Sequence, residues 1–431
     1  MKTLLSARAA AGWRYGALGL PLAFVALPLY VVLPNHYADH YGVPLAWLGA
    51  VLLGARLLDA FADPLIGRWV DGLLSDATAR LQSVLVFAAL VLTAGFAGLF
   101  FPPVSGTVAL LVWCAAALAV TYLSYSILTV AHQAWGARLG GDEAQRARVV
   151  AWREALALVG VLVASVLPSV VGLKLTVLVF GVALFIGLAA LRTSPRPEAL
   201  AADLPSSDSA RPLSTGPFRR LLAVYLLNGI ASAIPATLVL FFIRDRLQVP
   251  SWEPVFLAGY FAAGAVSIPL WVRCVKRFGL PRTWLAGMLL AVATFAWAAT
   301  LGAGDATAFL IVCVLSGVAL GADLSLPSAL LAGVIQQAGH SGQREGAYFG
   351  WWNFATKLNL ALAAGVALPS LQLFGYAPGS RDTAALTALT AAYCLLPCGL
   401  KLLAAALLFT QWVRPSAAPS SPSPSLLKDL P

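Results

Sequence analysis

The chain has 431 residues, 60% of them hydrophobic and only 11% charged, against about 25% charged in an average soluble protein. With a mean hydropathy of +0.84 this composition argues against a soluble enzyme, and it excludes a disordered chain or a disulfide scaffold, five cysteines being sparse for the length. The 28 Lys and Arg outnumber the 18 Asp and Glu to leave a net charge of +10, and the placement of those charges carries the functional information.

Apolar runs of about 20 residues, long enough to cross a bilayer, predict helices at 12–35, 44–72, 81–101, 108–135, 150–171 and 174–192. A second group follows at 218–244, 253–277, 282–302, 306–336, 345–374 and 383–413. The first run lacks a small-residue cleavage site and reads as a retained span. These runs divide the chain into an N-terminal six-helix half (1–192), a Pro- and Ser-rich cytoplasmic linker (193–217), a C-terminal six-helix half (218–413) and a disordered cytoplasmic tail (414–431).

Twenty of the Lys and Arg fall on one side of the spans, four on the other and four inside. The excess marks the cytoplasmic face, so both termini are expected there, and the setting is a bacterial inner membrane. The basic balance is thus topology, and nucleic acid is not an expected partner. Ala26-Leu27-Pro28, Pro64-Leu65 and Leu167-Pro168-Ser169 find counterparts in the same order at Ala233-Ile234-Pro235, Pro269-Leu270 and Leu368-Pro369-Ser370. Twelve helices in two repeated halves predict an all-α membrane protein of major facilitator architecture, with its substrate between the halves.

A charge at mid-bilayer costs about 2.5–3.5 kcal/mol even on the lenient insertion scale. Asp59 and Asp63 lie one turn apart on the second span, with Arg56 one turn before them on the same face. Two such acids either ligate a small hard cation or share a proton, whereas a helix-locking salt-bridge network is the structural alternative. The remaining deep charges are Arg153, Glu154, Asp323, Lys357 and Lys401, which balances four positive against four negative groups and favours a paired, water-accessible interior. Arg153 and Glu154, being adjacent, are expected to point apart. Lys357 is expected in coupling or substrate binding, Asp323 in substrate binding and Lys401 as a structural or snorkelling lysine. Tyr122, Ser126, Thr129, His132 and Gln133 give the fourth span a polar side suited to a cavity, and Trp352 among Tyr348, Trp351 and Asn353 offers a stacking surface for a sugar ring. Helix packing and interface anchoring are the competing readings. No phosphate-binding loop is present, so ATP is not an expected energy source, and no cofactor is expected beyond a coupling ion, H+ or Na+.

The segment Arg56-Leu57-Leu58-Asp59-Ala60-Phe61-Ala62-Asp63-Pro64, followed by Gly67, resembles the RxxDAxxDPxxG motif of the glycoside–pentoside–hexuronide:cation symporters, the melibiose-permease-like branch of the major facilitators. Tyr41-Gly42 and the stretch from Gly342 through Lys357 to Gly375-Tyr376 are similar to other parts of that family. The resemblance implies that Asp59 and Asp63 are cation ligands, that Lys357 links the cation site to substrate and that Arg153 is a cavity arginine. The sugar-gripping aspartates of melibiose permeases are replaced by Ala23 and Thr129, an aromatic neighbour by Gln133, and the Asn between the paired acids by Ala62. The expected function is cation-coupled symport of a small organic solute such as a sugar or glycoside, with lysolipid symport or cation-coupled export as alternatives.

Overall fold

A computed structural model describes residues 12–76, 78–195, 212–373 and 375–414. Among the described residues the regular structure is helical throughout. The first span, α1, comprises Gly19–Leu27, a π-turn over Pro28–Val32 and Leu33–Tyr41. Then follow α2 (Leu45–Asp76), α3 (Thr78–Phe100) and α4 (Thr107–Arg138).

The next helical stretch, Glu143–Arg192, would be about 75 Å long if straight, more than twice a hydrocarbon core of about 30 Å. It breaks at Gly172, whose φ of 77° and ψ of 166° suit a residue without Cβ. Two spans result, α5 (143–171) and α6 (173–192), parted where the apolar pattern predicts. The second half consists of α7 (Gly216–Phe241, continued by a π-turn Phe242–Leu247), α8 (Glu253–Phe278), α9 (Leu280–Ala298), α10 (Ala306–Gln337) and α11 (Glu345–Leu373). The last, α12, joins Thr383–Thr390, Ala391–Leu395, Leu396–Leu408 and Phe409–Val413. Eight described helices are long and apolar enough to cross a membrane, Glu143–Arg192 counting as one, and the bent α1 makes a ninth.

Some boundaries differ from the hydropathy reading for local reasons. The polar turns of α1 continue to Tyr41 because Gly42, at φ 65°, supplies the left-handed cap there. Similarly, α5 starts seven residues early, at Glu143, because the Asp142 side chain accepts the Gln145 amide at 2.7 Å and caps the helix. Of the linker, Pro212–Ser214 forms a short 3-10 turn with Pro212 buried, while 196–211 and the tail from 415 lie outside the described residues.

Each half has an apolar core. Phe24, Phe96 and Phe180 meet in the first, and Phe242, Phe309 and Tyr393 in the second. The early part of α5 leaves its own half: Ala147, Val150 and Ala151 join Leu330, Leu331 and Trp284 of the other. Apolar side chains such as Val266 and Val108, 79% and 76% exposed, form the surface expected to meet lipid.

Candidate functional site

The helices α2, α4 and α11 meet along one seam between the halves. A Cβ on Gly67 would collide with the Gly346 carbonyl, and one on Gly350 with the Asp63 carbonyl, so glycines permit the close approach of α2 to α11. On this seam Lys357 Nζ lies 2.7 Å from Asp59 Oδ2 and 2.7 Å from Asp63 Oδ2. The same ammonium donates to Ser126 Oγ at 3.0 Å, and Ser126 donates to Asp59 Oδ1 at 2.8 Å. Both carboxylates are buried. One base from the second half thus holds two acids from the first, and the cluster keeps one negative charge in excess.

Arg56 does not join it. Its guanidinium sits 4.2 Å from the centre of the Tyr30 ring, a cation–π contact, and it forms no ion pair with either acid. The alternative of a helix-locking network of Arg56 with both acids is therefore not what forms, and Arg56 does not stand with the coupling residues where it was expected: the partner of the acids is Lys357.

Twelve residues after Asp59 on α2 and Ser126 on α4, and twelve before Lys357 on α11, lies a second polar layer formed by Asp71, Arg138 and Glu345. Asp71 accepts the Gly346 and Ala347 amides, each at 2.7 Å, and so places a carboxylate on the N-terminus of α11. Arg138 pairs with Glu345 at 2.9 Å and with Asp71 at 3.5 Å. Nearby, Glu143 accepts the Leu280 amide at 2.7 Å and Arg146 donates to Gln336 at 2.7 Å, tying the halves together at this end. The sequence reading missed this layer, because charges at helix ends are ordinary. Its faint signal is Glu345 beside Gly346, an acid at a close helix approach.

The other sequence candidates separate into distinct places. Arg153 and Glu154 do not point apart. Their side chains fold back into an ion pair, with Nη2 2.6 Å and Nε 2.9 Å from Glu154 Oε1, because a long guanidinium stem can reach its chain neighbour. Arg153 also reaches Ser328 of α10 at 3.4 Å, spanning the halves. Trp352 is buried and stacked on Tyr225 at 3.7 Å, so that ring face is already occupied, while Tyr225 bonds Thr356 at 2.7 Å. Tyr348 is held by Thr215 and His340.

The polar side of α4 divides as well. Ser126 enters the ion cluster, while His132 turns to the chain just before α1, where its Nε2 is 2.8 Å from the Tyr15 carbonyl. Thr129 and Gln133 carry buried side-chain oxygens with no hydrogen-bond partner. Asp323 lies inside the second half and pairs with neither Arg153 nor Lys357. It pairs with Lys401 at 2.6 Å and accepts the Trp284 indole at 2.9 Å, while Lys401 also donates to Asn228 and Ser232. Lys401 is buried rather than snorkelling. Asp323, Lys401 and Ser232 line a cavity of about 180 Å³ bounded by α7, α8, α9, α10 and α12.

Three comparisons bear on this geometry. The family model described as "MFS/sugar transport protein" matches residues 14–411. A relative named "Putative sulfoquinovose importer" in Escherichia coli (strain K12) is 26% identical over 437 residues, covering 93% of this chain and 89% of its own. A bacterial homologue of the iron transporter ferroportin, solved in an outward-facing state, superposes with a TM-score of 0.71 at 17% identity, over 93% of this chain and 98% of that one. The fucose:proton symporter FucP of E. coli does so at 0.63 and 12%, over 92% and 98%. At these identities the solved structures speak for the fold alone. With twelve helices in place and the motif of α2 built into a buried ion cluster, the chain belongs to the MFS/sugar transport protein family, in its glycoside–pentoside–hexuronide:cation symporter branch, and is a membrane transporter rather than an enzyme.

Proposed function

We propose that the protein moves a sugar-like solute together with H+ or Na+ by alternating access, and that Asp59 and Asp63 are the coupling groups. The observation that carries this reading is the single Lys357 ammonium set between two buried carboxylates of the other half. A proton or Na+ arriving at the acids supplies the missing positive charge and competes with Lys357. Weakening that cross-half ion pair shifts the balance between the two states of the transporter, and the coupling equals the ion's differential affinity for them. Ser126 and the two carboxylates offer only oxygen donors, which suits a hard ion, and Ala62 between the acids adds no further side-chain oxygen, which favours H+.

The solute sits between the halves, where Arg153 and Glu154 face Ser328, close to the Tyr225–Thr356 pair. An Arg–Glu pair offers both donors and acceptors to sugar hydroxyls. Arg153 would also meet a negatively charged sugar substituent such as the sulfonate of sulfoquinovose. The charge asymmetry supports a reading with the Arg138 end and both termini on the cytoplasmic side of a bacterial inner membrane. The polar ties seen between the halves include Arg138–Glu345–Asp71 and Glu143–Leu280 at that end, which supports an outward-facing state.

Uptake of labelled sulfoquinovose into proteoliposomes, driven by a proton or a Na+ gradient, tests the reading. The native protein accumulates the solute with one of the two gradients, and Asp59→Asn abolishes accumulation while reconstituting to the same level. Equal accumulation by native protein and variant would overturn the coupling role. Uptake of a lysolipid in place of the sugar would reassign the substrate and leave the ion site standing.

A further inference from the structure

The region between the two polar layers is itself unusual. Among the described residues, ten buried side-chain nitrogen and oxygen atoms form no hydrogen bond, and six of them belong to Asp63, Thr129, Gln133, Asn353 and Arg138. Asp63 Oδ2 still meets Lys357 and Arg138 Nη2 still meets Asp71, as ion pairs. Of the other four, Thr129 Oγ1 has the Tyr125 hydroxyl beside it, while Asp63 Oδ1, Gln133 Oε1 and Asn353 Nδ2 have no hydrogen-bond partner. A buried polar atom left alone costs about 1–3 kcal/mol, and native proteins satisfy nearly all of them with protein or with ordered water.

These side chains share one seam. Gln133 is two turns from Ser126 on α4, rotated by only about 20°, with Thr129 between them rotated by about 60°. Asn353 is one turn from Lys357 on α11, and Asp63 one turn from Asp59 on α2, each rotated by about 40°. Asp63 therefore forms the near edge of the path, and Thr129, Gln133 and Asn353 lie beyond the Lys357 cluster on its α2–α4–α11 side, in the direction of the Asp71–Arg138–Glu345 layer. That layer repeats the composition of the first: two acids held by one base.

We propose that the α2–α4–α11 seam is a water-filled path for the coupling ion, separate from the opening the solute uses. It runs about 12 Å along α2 from Asp63 to Asp71, past Thr129, Asn353 and Gln133. It rests on the coupling role of Asp59 and Asp63. Water in the seam satisfies Asp63 Oδ1, Gln133 Oε1 and Asn353 Nδ2, and the acid excess at both ends favours a cation over an anion throughout. The Arg138 ion pairs close the far end, so the ion passes when that layer opens. A route of this kind lets the ion leave without displacing the solute.

Silver ion, a monovalent cation that attacks thiols only through water, probes the path directly. In full-length protein with the five native cysteines replaced, Gln133→Cys and Asn353→Cys should be blocked by Ag+ at least tenfold faster than Leu128→Cys, a core position on the same helix as Gln133. Blocking is read as loss of later maleimide labelling after denaturation. Equal rates at all three positions would overturn the path. In proteoliposomes with sulfoquinovose as probe, Gln133→Leu should lower gradient-driven uptake at least tenfold relative to solute-for-solute exchange, since exchange requires no ion release. A parallel fall in both would make Gln133 a solute or packing residue and overturn the proposal. Failure of the coupling role shows elsewhere, as an Asp59→Asn variant that accumulates normally, and the Ag+ rates do not depend on it.

Discussion

Among the described residues two buried lysine–aspartate clusters stand out, and they are built on opposite principles. Lys401 and Asp323 pair one to one inside the second half, and Asn228, Ser232 and Trp284 complete their hydrogen bonds. Lys357 faces two acids across the boundary between the halves, with Asp63 Oδ1 left without a hydrogen bond. A balanced, saturated pair within one rigid body has nothing to gain from an added ion. An unbalanced cluster that bridges two moving bodies changes both its charge and its strength when a cation arrives. The contrast teaches that charge count and location across the hinge, rather than burial, distinguish a coupling site from a structural one.

The largest effect expected from breaking the contrast is on stability. Lys401→Met alone strands the Asp323 carboxylate and should cost about 3–5 kcal/mol, seen as a lower melting temperature of the purified protein, while the double variant Lys401→Met/Asp323→Leu should recover most of that loss. Next comes coupling: Asp63→Asn should lower gradient-driven accumulation by about a hundredfold, near the top of the usual range of coupling energies, with little change in melting temperature. A smaller effect is conformational. Gly67→Ala sets a methyl against the Gly346 carbonyl and should force α2 from α11, raising thiol labelling of Asn353→Cys, in protein without its native cysteines, by about tenfold as the seam opens. Smallest is Asp71→Asn. It removes the negative charge at the N-terminus of α11 but keeps an acceptor there, so a shift of about 1 kcal/mol in the same labelling equilibrium is expected.

The sequence makes the fold and the acids of α2 legible for one physical reason: polar groups in an apolar solvent are conspicuous. Asp59, Asp63 and Lys357 stand out because each is costly where it lies, and the break at Gly172 falls where the hydropathy pattern parts. The partnerships are less legible. The pairing of Lys401 with Asp323 needs the packing of α12 on α10, and that of Lys357 with both acids needs the glycine contact of α11 with α2. Arg153 and Glu154 show where a periodicity rule fails, since helical spacing fixes where Cβ points and not where a long side chain ends. Arg56 shows the reverse, a residue on the right helical face that prefers the Tyr30 ring. Asp71, Arg138 and Glu345 were hidden among ordinary end-of-helix charges, and only their common 12-residue offset from the ion cluster, visible once the helices are aligned, marks them.

One measurement bears most directly on the central claim: gradient-driven sulfoquinovose uptake per folded molecule, taken side by side for the native protein, Asp63→Asn and Lys401→Met/Asp323→Leu. The C-half double variant is expected to keep ion-driven accumulation and Asp63→Asn to lose it. Accumulation retained by Asp63→Asn, or abolished in the folded double variant, would contradict that claim.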